Sequence, residues 1–370
     1  MNAFGIIFSH IQSEGIDAIA RKRTVASIPF GGRYRLIDFA LSNIVSADIV
    51  NVGVIAQKNY QSLMDHVGSG KDWDLSRRNG GLLVFPPFGN YKSDFIYNNR
   101  LSSLKSIIGF ITKSKEDIAV LMDTDSVNTV DLSEAIQKHI DNNADITMVY
   151  VKDKGHDLVG NLQFELDENN RIQNATIYRE YQEDAKVGIN IWIVNRRLLV
   201  SLLDDAVQYN YSSFEQDIIM KNCKTLKIYG YEYDGIYMHI STMENYFKNN
   251  MSLLDKDVRT ALFQQDDHRI YTKVRDSTPT RYGSGAVVEN SFIADGCEIE
   301  GKVVNSILFR GVKVGKGTVI KDSILMQDTI IGNNVKLNCV ITDKNVTVRD
   351  RNNLSGCEKL PYYLGKNTMV

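Results

Sequence analysis

The sequence predicts an α/β domain with a mostly parallel sheet, followed by a parallel β-helix. Three observations support this prediction. Short apolar runs alternate with helical patterns over residues 1–254, an order typical of a sheet covered on both faces. A short apolar phrase recurs at nearly constant spacing after residue 282. The stretch 29–43 contains a Gly-Gly turn that presents two arginines.

The first part of the chain has the pattern of strands and helices in alternation. Segment 255–281 is charged and contains a proline, so we interpret it as a linker between domains 1–254 and 282–370. Parallel sheets place ligands at the carboxyl ends of their strands, which directs attention to the segments after Phe8, Ala56 and Met122. Strands are predicted at 3–8, 51–56, 118–122, 146–151, 187–194 and 235–240, a hairpin turn at 167–170, and helices at 60–67, 98–113, 132–142, 196–205, 214–222 and 242–254.

The last part of the chain is repetitive. Phrases of the form Asn/Asp-Ser-Ile-Leu begin at residues 290, 305, 322 and 338, at spacings of 15, 17 and 16 residues. Each phrase is followed by a turn and a second apolar pair, with glycine or asparagine at the corners. This pattern predicts the coils of a β-helix. Because side chains alternate along a strand, one member of pairs such as Ile324-Leu325 is expected to point outward and to form an apolar stripe for another subunit.

The composition limits the class of protein. A hydrophobic fraction of 43% is typical of a globular protein, and a net charge of -2 argues against nucleic acid as the main partner. The four cysteines lack metal-site spacing, so we expect reduced thiols and no bound metal. No apolar run reaches membrane-spanning length, and the N-terminus does not have the pattern of a signal peptide. We therefore expect a cytoplasmic protein without a membrane partner.

The stretch 29–43 is the most informative single segment. Gly31-Gly32 predicts a tight turn, and Arg33 and Arg35 follow at alternate positions, so in an extended segment they point the same way. Two guanidinium groups on one side of a turn suit a phosphate. A solvated turn without a ligand is the alternative interpretation.

Together these segments resemble the ADP-glucose pyrophosphorylase (glucose-1-phosphate adenylyltransferase) family. The resemblance covers nearly the whole chain and implies a Rossmann-like nucleotidyltransferase domain followed by a left-handed β-helix. It also implies a reaction in which glucose 1-phosphate attacks the α-phosphorus of ATP, giving ADP-glucose and pyrophosphate with the help of a divalent metal. The segments that carry the resemblance are 29–43, 53–57, 214–219, 241–250 and the repeats.

The family's glycine loop after the first strand is missing here. In the family it has the form G-G-x-G-x-R, whereas this chain has His10, Ile11 and Ser13 at the glycine positions and Gly15 at the arginine position. Backbone amides hold a triphosphate only where the loop carries little side-chain bulk. The Lys-Pro pair that follows in the family is Val25-Ala26 in this sequence.

The other parts of the family's active site have changed as well. One metal-binding aspartate corresponds to Asp125 only after a one-residue insertion, and the second is replaced by His239. The family's sugar-phosphate lysine has no match near residues 178–180, and its Gly-Thr-Ala-Asp-Ala helix start is replaced at 99–103. Magnesium prefers oxygen ligands, so one carboxylate and one imidazole form a poor site. We therefore predict no catalytic residues, no metal ligands and no cofactor bound by this chain.

The regulatory positions of the family are retained. Lys22, Arg23 and Arg35 match positions that bind anionic effectors near the β-helix, and Gln57 lies in the loop that links the effector site to the active site. This combination resembles the non-catalytic, regulatory subunit found beside a true pyrophosphorylase in Gram-positive bacteria. A solvated basic surface is the alternative interpretation of the Lys/Arg cluster.

Three functional hypotheses follow. The first is a regulatory subunit of glucose-1-phosphate adenylyltransferase in glycogen biosynthesis. It would assemble with a catalytic homologue that binds Mg²⁺, as a mixed tetramer, and respond to a phosphorylated effector. The second is a weakly active sugar nucleotidyltransferase with a rebuilt site. The third is a stand-alone sensor of sugar phosphates or nucleotides.

Overall fold

The computed structural model of the chain describes residues 2–11, 14–87, 99–265 and 267–370. The glycine-loop position Ser13 and the predicted helix start at Asn98 lie outside these ranges.

The first domain contains a large sheet and two small antiparallel strand pairs. Its strands within the described ranges are β1 (Ala3–Phe8), β2 (Pro29–Phe30), β3 (Tyr34–Arg35), β4 (Asn51–Ile55), β5 (Gly81–Phe85), β6 (Ile118–Asp123), β7 (Ser126–Val127), β8 (Ile146–Lys152), β9 (Leu162–Leu166), β10 (Ile172–Ile177), β11 (Lys186–Asn195), β12 (Ile228–Glu232) and β13 (Met238–His239).

Helices cover both faces of this sheet. They are α1 (Asp17–Ala20), α2 (Leu36–Ser46), α3 (Gln61–Val67), α4 (Arg100–Ser106), α5 (Ile108–Lys113), α6 (Leu132–Asp141), α7 (Arg196–Gln208), a π-helix (Phe214–Met220), α8 (Met243–Met251) and α9 (Lys256–Phe263). Short 3₁₀ turns lie at Glu14–Ile16, Val25–Ser27, Lys71–Trp73 and Ser252–Leu254.

The large sheet has the strand order β10-β9-β11-β6-β1-β4-β5, with β8 paired to β11 and β12 paired to β8. Strands β6, β1, β4 and β5 run parallel, whereas β11 is antiparallel to both β6 and β8. The parallel strands are apolar throughout because a core lies on each side of the sheet. This arrangement confirms the predicted α/β class and brings the carboxyl ends of β1, β4 and β6 to one edge.

Two element predictions are wrong in their limits. The strand predicted at 235–240 is reduced to Met238–His239, because the Tyr233 hydroxyl donates to the Ile236 carbonyl at 3.0 Å and closes a turn there. The helix predicted at 98–113 is broken at Ile107, whose N–H bonds the Leu104 carbonyl at 3.1 Å instead of continuing the α-helix.

The second domain is a parallel β-helix with three faces of five strands each. One face contains β14 (Arg281–Tyr282), β17 (Glu298–Ile299), β20 (Lys313–Val314), β23 (Ile330–Ile331) and β26 (Thr347–Val348). The second contains β15 (Val287–Glu289), β18 (Lys302–Val304), β21 (Val319–Lys321), β24 (Lys336–Asn338) and β27 (Asn353–Ser355). The third contains β16 (Phe292–Ile293), β19 (Ile307–Leu308), β22 (Ile324–Leu325), β25 (Val340–Thr342) and β28 (Tyr362–Leu364).

The third face of the β-helix packs on the first domain. Ile307, Ile324 and Ile341 belong to a core that also contains Phe30 and Phe39 of the first domain. The neighbouring Leu308 and Leu325 fill the interior of the coils. The predicted alternation along the strands is therefore present, but the expectation of an outward stripe for another subunit is wrong. The stripe is buried inside the chain, against its own first domain.

The segment predicted as a linker contains α9 and then an extended strap, residues 267–280. The strap lies along α2 through polar contacts: Tyr271 N donates to Ser42 Oγ at 2.8 Å, and Thr272 Oγ1 donates to Asp38 Oδ2 at 2.5 Å. These bonds fix the strap between the two domains. The domain limits themselves stay a prediction.

Candidate functional site

The carboxyl end of β6 carries two buried carboxylates, Asp123 and Asp125. It lies beside the ends of β1 and β4, where the sheet is expected to hold a ligand. The sequence had singled out Asp125 and His239 at this place but not Asp123.

Asp125 is paired with His239. Their closest atoms, Asp125 Oδ2 and His239 Nε2, are 3.4 Å apart, and both side chains are buried. The other ring nitrogen of His239, Nδ1, lies 2.7 Å from the Asp157 carbonyl oxygen. Burial alone would lower the pKa of His239, but the hydrogen bond and charge of Asp125 outweigh it and the pKa is raised. The same contact outweighs burial at Asp125 and lowers the pKa of that carboxyl. The contact therefore favours the imidazolium form of His239 and the carboxylate form of Asp125.

Asp123 is paired with Arg100. The guanidinium donates from Nε to both Asp123 oxygens at 3.1 Å, bonds Asp123 again through Nη2, and bonds Glu215 through Nη1. It also lies over the Trp192 ring, 5.1 Å from the centroid. Burial raises the pKa of Asp123, and Arg100 works against that rise. Sequence reasoning missed this cluster because its members come from α4, β6 and the π-helix, far apart in the chain.

These contacts decide whether the family's divalent metal fits. Each carboxyl group at the end of β6 already has a basic side chain as its partner: His239 for Asp125 and Arg100 for Asp123. A metal ion would have to displace these groups or share their carboxylates with them, and like charges in a buried site repel strongly. The residues present do not fit a divalent metal.

The loop after β1 is filled by side chains. His10 Nε2 lies 3.1 Å from the Ser103 hydroxyl of α4, and Ile11 packs against the core on that side of the sheet. Burial lowers the pKa of His10 to about 4, so the ring is neutral. Val25 and Ala26, which replace the family's Lys-Pro pair, are fully buried.

A cleft of about 760 Å³ lies next to this loop. His10, Arg23, Gln57 and Lys58 are among its lining residues. Arg23 Nη1 and Gln57 Nε2 are buried there without a hydrogen-bond partner among the described residues. The structure therefore brings two of the predicted regulatory residues, Arg23 and Gln57, to one cavity.

The three predicted effector residues have different surroundings. Arg23 forms an ion pair of 2.6 Å with Asp343 of the β-helix, with both side chains only 3% exposed. Lys22 is exposed and donates to the Lys366 carbonyl at 3.3 Å. Arg35 is buried and bonds the Ser62 hydroxyl at 3.0 Å. Lys22 and Arg23 thus connect the first domain to the β-helix. That any of the three binds an effector stays a prediction.

Arg35 faces a second cavity, the junction pocket, which lies between β3, α3, the strap and the β-helix. Its volume is about 30 Å³, the room for a compact group rather than a whole sugar. No carboxylate is among its described lining residues, and the sequence had pointed to only one of its cations as an effector ligand. Among the described residues, the cationic side chains that line it are Arg33, Arg35, Lys273, Arg275, Arg310 and Lys344.

The cations of the junction pocket repel one another. Burial, together with the charges of Arg275 and Arg23, lowers the pKa of Arg35 to about 10, although the nearby Asp38 carboxylate acts to raise it. Burial and Arg33 lower the pKa of Arg310 in the same way. Positive charges that lower one another's pKa in this way favour a bound anion.

Comparison with known proteins agrees with this architecture. Residues 18–228 match the nucleotidyl transferase family and residues 275–357 match the GlmU-like, C-terminal hexapeptide family. The chain is 33% identical to the glycogen biosynthesis protein GlgD of Bacillus subtilis (strain 168) over 363 residues, which cover 98% of this chain and 95% of that protein.

The chain belongs to the ADP-glucose pyrophosphorylase family. Its second domain is the left-handed β-helix that the hexapeptide match indicates. Further similar family members are GlgD of Geobacillus stearothermophilus (34% identity, 85% of this chain and 82% of the relative) and the glucose-1-phosphate adenylyltransferase of Clostridium botulinum (strain Alaska E43 / Type E3; 31% identity, 85% and 82%). Both kinds of relative thus lie at similar identity, so the site residues must discriminate between them. None of the described helices combines the length and apolar character needed to cross a bilayer.

Proposed function

We propose that this chain is a regulatory, catalytically degenerate subunit of a glucose-1-phosphate adenylyltransferase in glycogen biosynthesis. The observation that carries the proposal is the pairing of both carboxyl groups at the end of β6 with basic side chains of the chain itself, Arg100 and His239. Mg²⁺ and the chemistry then belong to a catalytic homologue with which this chain assembles.

The loop after β1 supports the same proposal. A triphosphate needs backbone amides exposed in a loop with little side-chain bulk. Here the His10 ring is bonded to α4 and the partly buried Ile11 side chain packs against the core, so side chains occupy the place where the family binds nucleotide phosphates. Removing even one preorganised group that stabilises charge costs about 10²–10³ in turnover, and several are absent.

The junction pocket supplies the regulatory part of the proposal. Its cations come from both domains and from the strap, so an anion bound there would contact all three. Charge-assisted hydrogen bonds to a phosphoryl group are worth about 1.5–3 kcal/mol each. We therefore expect a phosphorylated effector to bind here, with Arg35 as a central ligand and Arg35→Ala weakening the response about tenfold or more.

The deciding experiment is an ADP-glucose synthesis assay on three preparations: this chain alone, a catalytic homologue alone, and the two co-expressed. We expect no significant synthesis by this chain alone and a changed rate or effector response for the pair. Synthesis by the pure chain at the rate of the homologue would instead establish an active nucleotidyltransferase. A homologue that is indifferent to this chain would leave only a stand-alone sensor.

A further inference from the structure

Lys344 is a cation of the junction pocket whose ammonium group has neither a hydrogen bond nor an ion pair among the described residues. It is half-buried, at the corner after β25, and among the described residues no carboxylate lies within ion-pair distance of its ammonium group. The charged and titratable groups that face it come from four elements. They are Arg23 after α1, Arg35 of β3, His66 of α3, Arg275 of the strap, and its own neighbour Asp343.

Asp343, the acidic neighbour of Lys344 in the chain, already has other hydrogen-bond partners. Asp343 accepts from Arg23 Nη2 at 2.6 Å, from the Tyr363 hydroxyl at 2.8 Å and from the backbone N–H of Lys344 at 2.7 Å. Its charge is shared with Arg23, so it does not balance the Lys344 ammonium. Burial and repulsion by Arg35 and Arg23 lower the pKa of Lys344 to about 7, against the pull of Asp343.

We propose that the junction pocket takes up its anion together with a proton, and that Lys344 is the group that receives the proton. The inference rests on the proposed function, because it concerns the effector pocket of that proposal. The pocket contains two lysines and four arginines among its described lining residues. The Lys273 ammonium donates to the Asp65 carbonyl, whereas the Lys344 ammonium has no hydrogen bond or ion pair within the described part of the chain. A bound dianion supplies the missing negative charge and therefore favours the ammonium form.

The linkage has a definite sign. Well below pH 7 Lys344 is already protonated in the free chain, so an anion binds at full strength and takes up no proton at this residue. Above pH 7 the free chain has lost that proton, and binding must restore it from solvent. The affinity then falls by up to about tenfold per pH unit, and uptake approaches one proton, until the pKa of the bound state is reached.

Sulfate is a suitable probe because it remains a dianion across this pH range, so every proton taken up comes to the protein. The test is isothermal titration of the full chain with sodium sulfate at pH 6 and pH 8, each in two buffers of different ionisation enthalpy. We expect uptake near one proton at pH 8, little at pH 6, and weaker binding at pH 8.

Three variants assign the proton. Lys344→Met keeps an unbranched side chain but has no titratable group, and Lys344→Arg keeps a permanent charge; both should bind sulfate without proton uptake at pH 8. Lys273→Met is the matched control, since it removes another lysine from the same pocket. It should weaken binding and leave the uptake intact.

The outcomes separate this inference from the proposed function. Sulfate binding by the wild-type chain without uptake at pH 8 overturns the inference and leaves the anion pocket standing. Uptake that persists in Lys344→Met also overturns it and points to His66. No sulfate binding by the wild-type chain at either pH contradicts the anion pocket of the proposed function itself.

Discussion

At the scale of single residues, His10 packs against the protein at a position where the family has a glycine of its phosphate-binding loop. The side chain turns toward α4, where Nε2 meets the Ser103 hydroxyl, and its ring stands edge-on to Phe8 at a centroid distance of 6.5 Å. Burial lowers its pKa to about 4. The neutral imidazole therefore acts as a packing residue, and protonating it is unfavourable in the folded chain.

This position predicts a loss of stability in acid. The unfolded chain binds a proton at His10 below about pH 6.5, whereas the folded chain does not until about pH 4. Stability from His10 is therefore present above pH 6.5 and falls as the pH is lowered, by about 2 kcal/mol between pH 7 and pH 5. His10→Gln keeps a polar group for Ser103 but does not titrate. Urea unfolding at the two pH values should show that this variant loses about 2 kcal/mol less than the wild type. Equal losses would contradict the assignment.

The sequence predicted the missing family motifs of the site better than the side-chain clusters that the site contains. Missing glycines and the His239 substitution are visible in a local comparison with the family pattern. The cluster in which Arg100 bonds both Asp123 and Glu215 is not visible in this way. These acids lie 23 and 115 positions after Arg100, and only the fold brings the three residues together. The junction pocket has the same character: Arg275 and Arg310 read as ordinary surface charges until the strap and the β-helix bring them together.

At the scale of elements, strong periodicity was a good guide and short or unusual segments were not. Strands β1, β4, β6, β8 and β11 lie where uniform apolar runs predicted them. Strands β5 and β12 were missed because Gly81 and Gly230, and the tyrosines around the latter, hide the strand pattern. Both are edge strands of the large sheet. Their pairing is settled by the neighbouring strand rather than by local sequence.

The β-helix shows a limit of a different kind. Alternation along its strands correctly predicts that the two members of a pair point in opposite directions, and the structure shows Leu325 inward and Ile324 outward. It does not say what covers the outward side chain. Ile324 is fully buried by the first domain, whereas Ile330, outward on another face, is 46% exposed. Periodicity thus predicts direction, and only the packing of the two domains determines burial.

Comparison of these two isoleucines gives a test of the domain contact. Ile324→Ala should lower the free energy of unfolding by about 2–5 kcal/mol, because it opens a cavity in a core that both domains share. Ile330→Ala is the matched control and should cost less than about 1 kcal/mol at its exposed position. Urea unfolding measures both. If Ile324→Ala were as mild as the control while the chain's oligomeric state changed, the residue would face another subunit instead of its own domain.

At the scale of the whole molecule, the two domains are joined into one unit. They share an apolar core, the buried Arg23–Asp343 ion pair crosses between them, and Tyr271 and Thr272 bond the strap to α2. The junction pocket draws its cations from both domains and the strap. A ligand in that pocket would therefore act on the relative position of the domains and not on one loop alone.

A subunit without chemistry of its own affects a partner only by contacting the partner's active and inactive states differently. We therefore expect co-expression with a catalytic homologue to give a mixed oligomer, with a tetramer as the expected size, and the homologue's response to effector to change with it. Light scattering of the co-purified pair measures the assembly, and the synthesis assay measures the response.

Arg35→Ala supplies the sharper control, since it should leave the mixed oligomer intact while weakening the effector response about tenfold. The Ile307–Ile324–Ile341 stripe is already buried within the chain, so assembly must use other surfaces. Two species that migrate independently at micromolar concentration, with the homologue's rate unchanged by this chain, would remove the regulatory-subunit proposal.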